Sequence, residues 1–365
     1  MEHQFIERDS GKVVTEQLFG DRMVRLLYHR VRENSGALFR MLTSSRSSHI
    51  LGAVHFDRPV HSHKRFLEQC GIDLDECLDD PATLDTPRKI FERRIRYDKC
   101  RPMPTDPYVL VSPADARVVV GSFEETSMLF LKEKFFSFPE LFGPGKAEWQ
   151  RAFENGDFAV FRLTPDKYHY NHTPVAGRVV DLYAIEGTYH CCNPTAVVSI
   201  ATPYSKNKRV VTIIDTDVKE GTGVGLVAMI EVVALMIGDI VQAYSDNCYD
   251  DPCPIEPGMF LKKGQPKSLY RPGSSTDILI FQRERIEFAK DIVQNMEHPW
   301  ATSRFSQGFG QSLVETDIRV RSLLAIARRQ NKTAVPSGNE ADNDDRLIYA
   351  DFRNRSITSS KESNQ

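Results

Sequence analysis

Three short islands of the sequence carry side chains capable of acid–base or nucleophilic chemistry. Asp115 follows a Ser-Pro-Ala turn, His169 and His172 lie three residues apart between prolines, and Ser274 follows Gly273 before an apolar run. A carboxylate, an imidazole and a hydroxyl are the parts of an oriented acid–base–nucleophile set. Each island alone is also ordinary turn or backbone-bonding chemistry. Order along the chain does not give geometry, so the set is a hypothesis about convergence.

The histidine pair raises the alternative of a metal site. A metal would need further ligands, and the nearest candidates are His190, Cys191 and Cys192. Their spacing matches no common zinc pattern. We therefore expect no metal here, and the histidines supply a general base or bond to backbone.

From Tyr108 onward, the sequence pattern predicts short strands, and these strands must position the three islands. β-Branched runs are separated by turn residues and prolines, without the βαβ alternation or GxGxxG of a nucleotide-binding fold. The apolar stretch 224–241 carries Glu231 and Asp239, which favours paired buried strands over a membrane span. The predicted strands are 109–111, 117–120, 158–163, 177–180, 209–214 and 277–281.

The two ends of the sequence have a different residue pattern from the β-rich middle. Residues 1–105 read as mostly helical, with one amphipathic helix predicted over 13–32. After Glu287 the pattern again favours polar helices, and beyond Asn331 the composition predicts a disordered tail. We predict an α+β fold with an N-terminal helical, possibly membrane-docking region at 1–105, a β-rich, sandwich- or barrel-like core at 106–287, and an extension at 288–365.

Composition limits the remaining classes. The chain has 365 residues, a formal net charge of −3 and seven cysteines without a regular framework. This balance gives no global attraction to nucleic acid, and the cysteines suggest reduced thiols in a cytoplasmic-type compartment. The first residues lack the basic and apolar regions of a secretory signal. We expect a cytoplasmic protein, soluble or bound to a membrane surface.

Taken in order, the islands resemble motifs of the phosphatidylserine decarboxylase family of pyruvoyl enzymes. Asp115 lies in a segment similar to the family's Ser-Pro-Ala-Asp-Gly element, and 273–276 resembles its Gly-Ser-Thr or Gly-Ser-Ser cleavage site. The likeness covers roughly residues 15–285, and the two-histidine pattern is its most specific part. That pattern is matched by Leu163, Pro165, Tyr168, His169, His172, Pro174 and Gly177.

The resemblance implies a self-cleaving proenzyme. Ser274 would attack the carbonyl of Gly273, His172 would take the hydroxyl proton, and Asp115 would hold the imidazole in the required tautomer. Elimination and hydrolysis would leave a covalent pyruvoyl group, derived from Ser274, on the small chain. That ketone would form a Schiff base with phosphatidylserine and accept electrons as carbon dioxide leaves. His169 would handle the substrate carboxylate and reprotonate the carbanion, giving phosphatidylethanolamine.

Several positions depart from the family pattern. Ala116 replaces the glycine after the aspartate, and Pro272 precedes the cleavage glycine. Residues 263–270 lose a glutamate and a second glycine, which predicts a reshaped wall beside the cleavage site. Ser275 competes with Ser274 as the pyruvoyl precursor. We favour Ser274, since cleavage between the two serines would place a side chain at the scissile carbonyl.

Three other functions stay open at this point. A pyruvoyl decarboxylase of a soluble amino acid, such as an aromatic one, would use the same chemistry. An unprocessed binding or scaffold protein would remain one chain. A hydrolase using Asp115, His172 and Ser274 would keep the chain intact and react with fluorophosphonates.

Partners also follow from the resemblance and from charge. The segment 88–101 carries seven Lys or Arg against Glu92 and Asp98. It predicts either attraction to anionic headgroups or a solvated helix face. With the N-terminal helices it favours peripheral membrane docking. The family implies large and small chains from one precursor and a homodimer of processed protomers.

Overall fold

The computed structural model describes residues 2–18, 20–59, 67, 71–123, 135–236, 239–272 and 275–328. The described residues belong to one compact unit. The predicted tail beyond Asn331 lies outside the described residues. Gly273 and Ser274, the predicted cleavage pair, also lie outside them. The domain boundaries at 105 and 287 stay predictions.

A ten-stranded sheet forms the framework of the fold. Its neighbours pair antiparallel except for the first strand and the fifteenth, which run parallel. In spatial order its strands are β11 (Phe260–Leu261), β7 (Gly177–Ile185), β8 (Arg209–Asp215), β9 (Leu226–Val232), β13 (Ser275–Phe281), β5 (Asp157–Leu163), β4 (Ala116–Ser122), β15 (Glu315–Ile318), β1 (Gln4–Glu7) and β2 (Val13–Thr15).

Two three-stranded sheets complete the β structure. All six strand predictions from the sequence are confirmed, because their apolar and β-branched side chains are buried in these sheets. One small sheet has the order β10 (Ile240–Gln242), β12 (Pro266–Tyr270), β6 (Tyr170–His172); the other has β14 (Ile286–Phe288), β16 (Leu323–Ala327), β3 (Val109–Val111).

Helices in the described residues are short and lie around the sheets. The first is continued by a π-helical turn, Leu26–Val31, and 3₁₀ turns occur at Leu74–Glu76 and Pro81–Thr83. The prediction of an α+β fold with a β-rich core is confirmed. The helices are α1 (Asp21–Arg25), α2 (Arg32–Asn34), α3 (Gly36–Leu42), α4 (Ser45–Phe56), α5 (Pro87–Phe91), α6 (Tyr97–Cys100), α7 (Phe138–Phe142), α8 (Ala147–Ala152), α9 (Pro194–Ser199), α10 (Pro203–Lys206), α11 (Lys290–Met296) and α12 (Arg304–Phe309).

The helix predicted over 13–32 is wrong at its beginning. Val13–Thr15 is strand β2, which pairs with β1 through a turn in which Gly11 has a φ of 68°. A glycine adopts this left-handed conformation without strain, and the β-branched Val-Val-Thr run then favours a strand over a helix. Helix begins only at Asp21.

The prediction of helical structure after Glu287 holds for α11 and α12 and is wrong for two later segments. Glu315–Ile318 inserts between β1 and β4 in the large sheet, and Leu323–Ala327 is the central strand of a small one. β15 pairs with β4 and β16 with β3, and in both pairs the partner lies about two hundred residues away in the sequence. Pairing at this separation leaves no local signal in so short a strand.

Four buried side chains fix two segments far apart in the sequence to the large sheet. The guanidinium of Arg162 on β5 donates to both oxygens of Glu315, at 2.5 and 2.9 Å, and of Glu16, at 2.6 and 2.9 Å. His3 Nε2 lies 2.7 Å from Glu315 Oε2. Buried carboxylates require such partners, so this cluster ties the segments around β1, β2 and β15 to β5.

The apolar stretch 224–241 contains two strands, as expected, but they do not pair with each other. β9 lies between β8 and β13, whereas β10 pairs with β12 in a small sheet. Each strand instead finds its partners outside the stretch. Among the described residues, no helix has the length and apolar character needed to cross a bilayer.

Candidate active site

The histidine pair lies where two sheets meet. β5 of the large sheet ends at Leu163, and the chain crosses to β6 of a small sheet, so that His169 precedes β6 and His172 ends it. Strand β12 of the small sheet ends at Tyr270, and β13 of the large sheet begins at Ser275, so these two strands flank the predicted cleavage pair. β6 pairs with β12, and β5 pairs with β13. These two pairings bring the histidine island and the predicted cleavage segment to neighbouring crossings.

His172 is fully buried, and both of its ring nitrogens have partners. Nδ1 lies 2.9 Å from the carbonyl oxygen of Gly264, and Nε2 lies 2.9 Å from the hydroxyl of Tyr168. A carbonyl only accepts, so Nδ1 carries the proton and Tyr168 donates to Nε2. Burial lowers the pKa of His172 to about 3. The imidazole is therefore neutral at pH 7, with its basic nitrogen bound by a tyrosine.

His169 is also buried but leaves one nitrogen unpartnered. Nδ1 donates to the carbonyl of Lys167 at 2.8 Å, and Nε2 has no hydrogen-bond partner. Its ring stacks on Phe91 with centroids 3.5 Å apart. Burial first, and then the charge of Arg93, lower the pKa of His169 to about 3. A neutral, unpartnered Nε2 can accept a proton or a hydrogen bond from a substrate.

Asp115 is buried and bound to groups other than His172. Arg101 donates to both of its carboxylate oxygens, at distances from 2.7 to 3.3 Å, and the Val320 amide donates to Oδ1 at 2.8 Å. Burial alone would raise the pKa of Asp115, but the charge and hydrogen bonds of Arg101 outweigh it and lower that pKa. In the described residues, the expected hydrogen bond between Asp115 and His172 is not present. Instead, the amide of His172 donates to the Pro113 carbonyl, two residues before Asp115.

Ser275 is the described serine of the cleavage island. It begins β13 opposite Leu163, is fully buried, and its hydroxyl has no hydrogen-bond partner. The choice of Ser274 over Ser275 as pyruvoyl precursor stays a prediction, because Ser274 lies outside the described residues.

Residues 263–270, which the sequence predicts to form a reshaped wall beside the cleavage site, take part in a buried polar network. Lys267 Nζ lies 2.7 Å from Glu231 Oε2 and 3.0 Å from Gln242 Oε1. The Ser268 hydroxyl donates to Glu231, and Asn171 donates to both Glu231 and Ser268, at 3.2 and 3.1 Å. Ser268 stands where the family pattern has glycine. The serine and lysine together satisfy a carboxylate that would otherwise be buried alone.

A second buried acid lies in register with this network. Asp277 pairs with Glu231 across β13 and β9, and Oδ1 accepts from the Tyr270 hydroxyl at 2.6 Å. Burial, reinforced by the charge of Glu231, raises the pKa of Asp277 well above its usual value. Sequence reasoning missed both acids, since each reads as a lone charge in an apolar strand.

A cavity of about 490 Å³ opens beside the cleavage segment. Helix α4 forms one wall and approaches the backbone closely: a Cβ on Gly52 would lie 2.8 Å from the Met236 carbonyl oxygen. The Met236 amide also donates to the Ser48 hydroxyl at 2.8 Å. We name this space the α4 cavity; it is lined by His49, Gly52, Ala53, Asp57, Arg88, Glu92, Met236, Asp239, Arg271 and Pro272.

Several charges of the basic segment 88–101 have partners within the protein, whereas Lys89, Arg96 and Lys99 are exposed, and attraction of the segment to anionic headgroups stays a prediction. Arg94 pairs with Asp79 at 2.7 Å, and Arg101 with Glu76 at 2.7 Å as well as with Asp115. Buried Arg93 donates to backbone carbonyls. The segment is two short helices, α5 and α6, whose arginines fix loops around the site.

The one group in the described residues that could hold a metal ion lies elsewhere. His3, Glu16 and Glu315 bring one ligand atom each within 4.8 Å of one another. Arg162 already donates to both carboxylates, so its guanidinium supplies the positive charge that a metal would bring. This cluster is an ion-pair network of the fold. The six described cysteines are free thiols.

The fold and the site together define an α+β protein with a buried histidine pair and a ligand-sized cavity at a crossing between two sheets. The family model for phosphatidylserine decarboxylase matches residues 88–311. The chain belongs to the phosphatidylserine decarboxylase family, an enzyme family, as its motifs predict.

Individual relatives match most of the chain. A "phosphatidylserine decarboxylase proenzyme" of Fusobacterium nucleatum is 29% identical over 301 residues, covering 81% of this chain and 92% of that protein. One of Chlamydia trachomatis is 30% identical over 293 residues, with 79% and 90% covered. One of Ruminiclostridium cellulolyticum is 27% identical, with 82% and 94% covered. The likeness to these relatives is therefore longer than the stretch that the family model matches.

Proposed function

We propose that this protein is a self-processing decarboxylase that converts phosphatidylserine to phosphatidylethanolamine and carbon dioxide. The observation that carries the proposal is the position of the α4 cavity. Pro272, immediately before the predicted cleavage pair, lines the cavity, and so does Glu92. The neighbour of Glu92, Phe91, stacks on His169. A headgroup in this cavity would lie beside both the reactive group and a neutral imidazole.

Self-processing would generate the reactive group from the chain itself. Ser274 Oγ attacks the Gly273 carbonyl, the amide becomes an ester, and elimination and hydrolysis leave a pyruvoyl group on the small chain. When formed, that group supplies an electron sink for the carbanion left by carbon dioxide. The surroundings fit it: His169 and His172 are buried with lowered pKa values, and the described residues along the cavity include no lysine or cysteine nucleophile.

The described side chains would then divide the proton work. His172, neutral and held through Nδ1, accepts the Ser274 proton once Tyr168 releases Nε2. Asp115 supports this step indirectly, by fixing Arg101 and the backbone on which His172 is bound. His169 Nε2, which carries no proton at rest, accepts one from the substrate ammonium group and later returns it to the substrate carbon.

A lipid substrate requires contact with a membrane surface, and we assign that contact to α1–α4. Seven of the thirteen exposed large apolar side chains of the described residues lie on these helices and their π-helical turn. Residues 20–59 carry seven arginines against three acidic residues. Apolar side chains with surrounding arginines favour an anionic bilayer surface. The seven are Met23, Leu26, Leu38, Met41, Ile50, Leu51 and Val54.

Vesicle flotation tests this contact. Ile50→Glu combined with Val54→Glu should remove most binding to vesicles of phosphatidylcholine and phosphatidylserine, while Val293→Glu, on α11 and about as exposed as Val54, should leave it unchanged. Equal binding by all three proteins would exclude α4 as the contact. The proposal further includes the cytoplasmic face of the membrane as location and two processed protomers as the assembly.

Intact-mass spectrometry under denaturing conditions tests the proposed function directly. We expect two chains split at Gly273, the smaller with a blocked N-terminus, and release of carbon dioxide from phosphatidylserine in detergent micelles. A single chain of 41.5 kDa without turnover would contradict the proposal and favour a scaffold. Split chains that act on free amino acids and not on the lipid would favour the soluble decarboxylase instead.

A further inference from the structure

The α4 cavity contains one cation that is not committed to another side chain. Arg88 Nε and Nη2 both donate to Asp57, and Nη1 lies 3.4 Å from Glu92. Arg271, in contrast, has no ion pair among the described residues. Its amide donates to the Asp239 carbonyl at 3.1 Å, which fixes its backbone at the cavity wall.

The charge around Arg271 leaves it available for a ligand. Burial raises the pKa of Glu92 above its usual value, although the charges of Arg88 and Arg271 both oppose that rise. The carboxylate near Arg271 is therefore a weak competitor for its guanidinium. An exposed arginine beside a half-buried acid of this kind can accept an anionic ligand with little loss of existing contacts.

We propose that Arg271 binds the phosphodiester of the substrate, an inference that rests on the proposed function. The substrate offers two anions, a carboxylate and a phosphodiester. An arginine on the carboxylate would stabilise the ground state that decarboxylation must destroy. An arginine on the phosphodiester keeps its contact through the reaction, and its planar fork matches two phosphate oxygens.

The rest of the site also supports an arginine that binds the phosphodiester and leaves the carboxylate free. His169 is neutral and stacks on Phe91, so its ring offers no formal charge to a carboxylate. Arg271 lies on the cavity wall, one residue before Pro272. The charged phosphodiester thus stays at the exposed arginine, and the reacting carbon lies beside the buried, neutral imidazole of His169. Arg271 is a specificity residue: it selects substrates that carry a phosphate.

A substrate pair separates this role from a general loss of activity. Wild type, Arg271→Gln and Arg271→Lys are assayed in neutral-detergent micelles on phosphatidylserine and on O-hexadecylserine, which keeps the amine and carboxylate and lacks phosphate. We expect Arg271→Gln to lower kcat/KM about tenfold to a hundredfold on phosphatidylserine, to leave the ether within twofold, and Arg271→Lys to fall between. Arg151→Gln, an exposed arginine on α8, is the matched control and should match wild type on both.

Equal losses on both substrates, or no loss on either, would overturn the phosphodiester assignment. If wild type neither splits nor releases carbon dioxide, the proposed function itself fails, which is a different outcome. If Arg271→Gln does not split, binding of glycerophosphoethanolamine to Ser274→Ala precursors with and without Arg271→Gln gives the answer. Loss of binding only without the arginine supports the proposal; equal binding refutes it. Inorganic phosphate that binds as well as glycerophosphoethanolamine would indicate a free-phosphate site and also refute it.

Discussion

The Tyr168 hydroxyl lies 2.9 Å from Nε2 of His172, and it also lies 2.7 Å from the hydroxyl of Tyr249. The nitrogen expected to accept the serine proton is therefore already bound by a tyrosine. Burial raises the pKa of Tyr168 well above its usual value, so this hydroxyl stays protonated and donates. Any base function of His172 requires that Tyr168 release it.

Tyr168→Phe should therefore accelerate self-cleavage. Removal of the donor frees the Nε2 lone pair and makes it more basic, and the loss of one hydrogen bond corresponds to up to about tenfold in rate. The rate of splitting is followed by intact mass after translation in vitro. The buried nitrogen left without a donor should also lower the free energy of unfolding by about 1–3 kcal/mol. A loss of cleavage would instead make Tyr168 the proton relay.

Asp115→Ala should slow self-cleavage sharply and destabilise the fold. Arg101 would be left buried with Glu76 alone, and breaking a buried ion pair costs about 3–5 kcal/mol. Urea unfolding and the splitting rate are measured on the same preparation. Arg101→Ala serves as the comparison, because it removes the partner and keeps the carboxylate. Normal splitting in Asp115→Ala would show that this pair is structural only.

The His169→Ala precursor should cleave itself at the normal rate, but the processed variant should decarboxylate substrate poorly. The residue contacts the Lys167 carbonyl and Phe91, and we assign it to the proton that returns to the substrate. General acid–base groups contribute roughly 10²–10⁴-fold, so kcat should fall within that range. His172→Ala gives the opposite pattern, with impaired splitting. Wild-type turnover in His169→Ala would remove the residue from the mechanism.

The Lys267–Glu231 pair should show strong coupling in a double-mutant cycle. Both side chains are fully buried, so Lys267→Met leaves an uncompensated carboxylate and should cost about 3–5 kcal/mol of unfolding free energy. Glu231→Gln alone should cost a similar amount. The double variant should recover most of the loss, because neither charge then remains alone. Additive losses in urea unfolding would refute the coupling.

Acid should destabilise the protein below about pH 6.5. The pKa of His169 and of His172 is lowered to about 3 in the folded protein, whereas the unfolded chain titrates near the ordinary value of about 6.5. Between these values the unfolded state binds more protons, so stability falls as pH falls, by up to about 1.4 kcal/mol per pH unit for each histidine. The slope of unfolding free energy against pH, measured in a Ser274→Ala precursor, should decrease when His169 is replaced by Gln. An unchanged slope would contradict the burial of a neutral ring.

The sequence alone determined the strands of the core, the family and the identity of the candidate residues. Runs such as 158–163 and 277–281 are long, apolar and β-branched, so local pattern suffices for them. The histidine motif is specific in residue type and spacing, so it can be recognised without any knowledge of contacts.

Only the tertiary structure decided which side chains contact each other. Asp115 binds Arg101 where the sequence suggested His172, and Tyr168 binds the His172 nitrogen. Strand β15 joins the large sheet beside β4, about two hundred residues earlier in the chain. The physical reason is that hydrogen bonds and ion pairs form through space. A buried charge takes whichever partner the sheet register brings within about 3 Å, and register between distant strands is a property of the whole core.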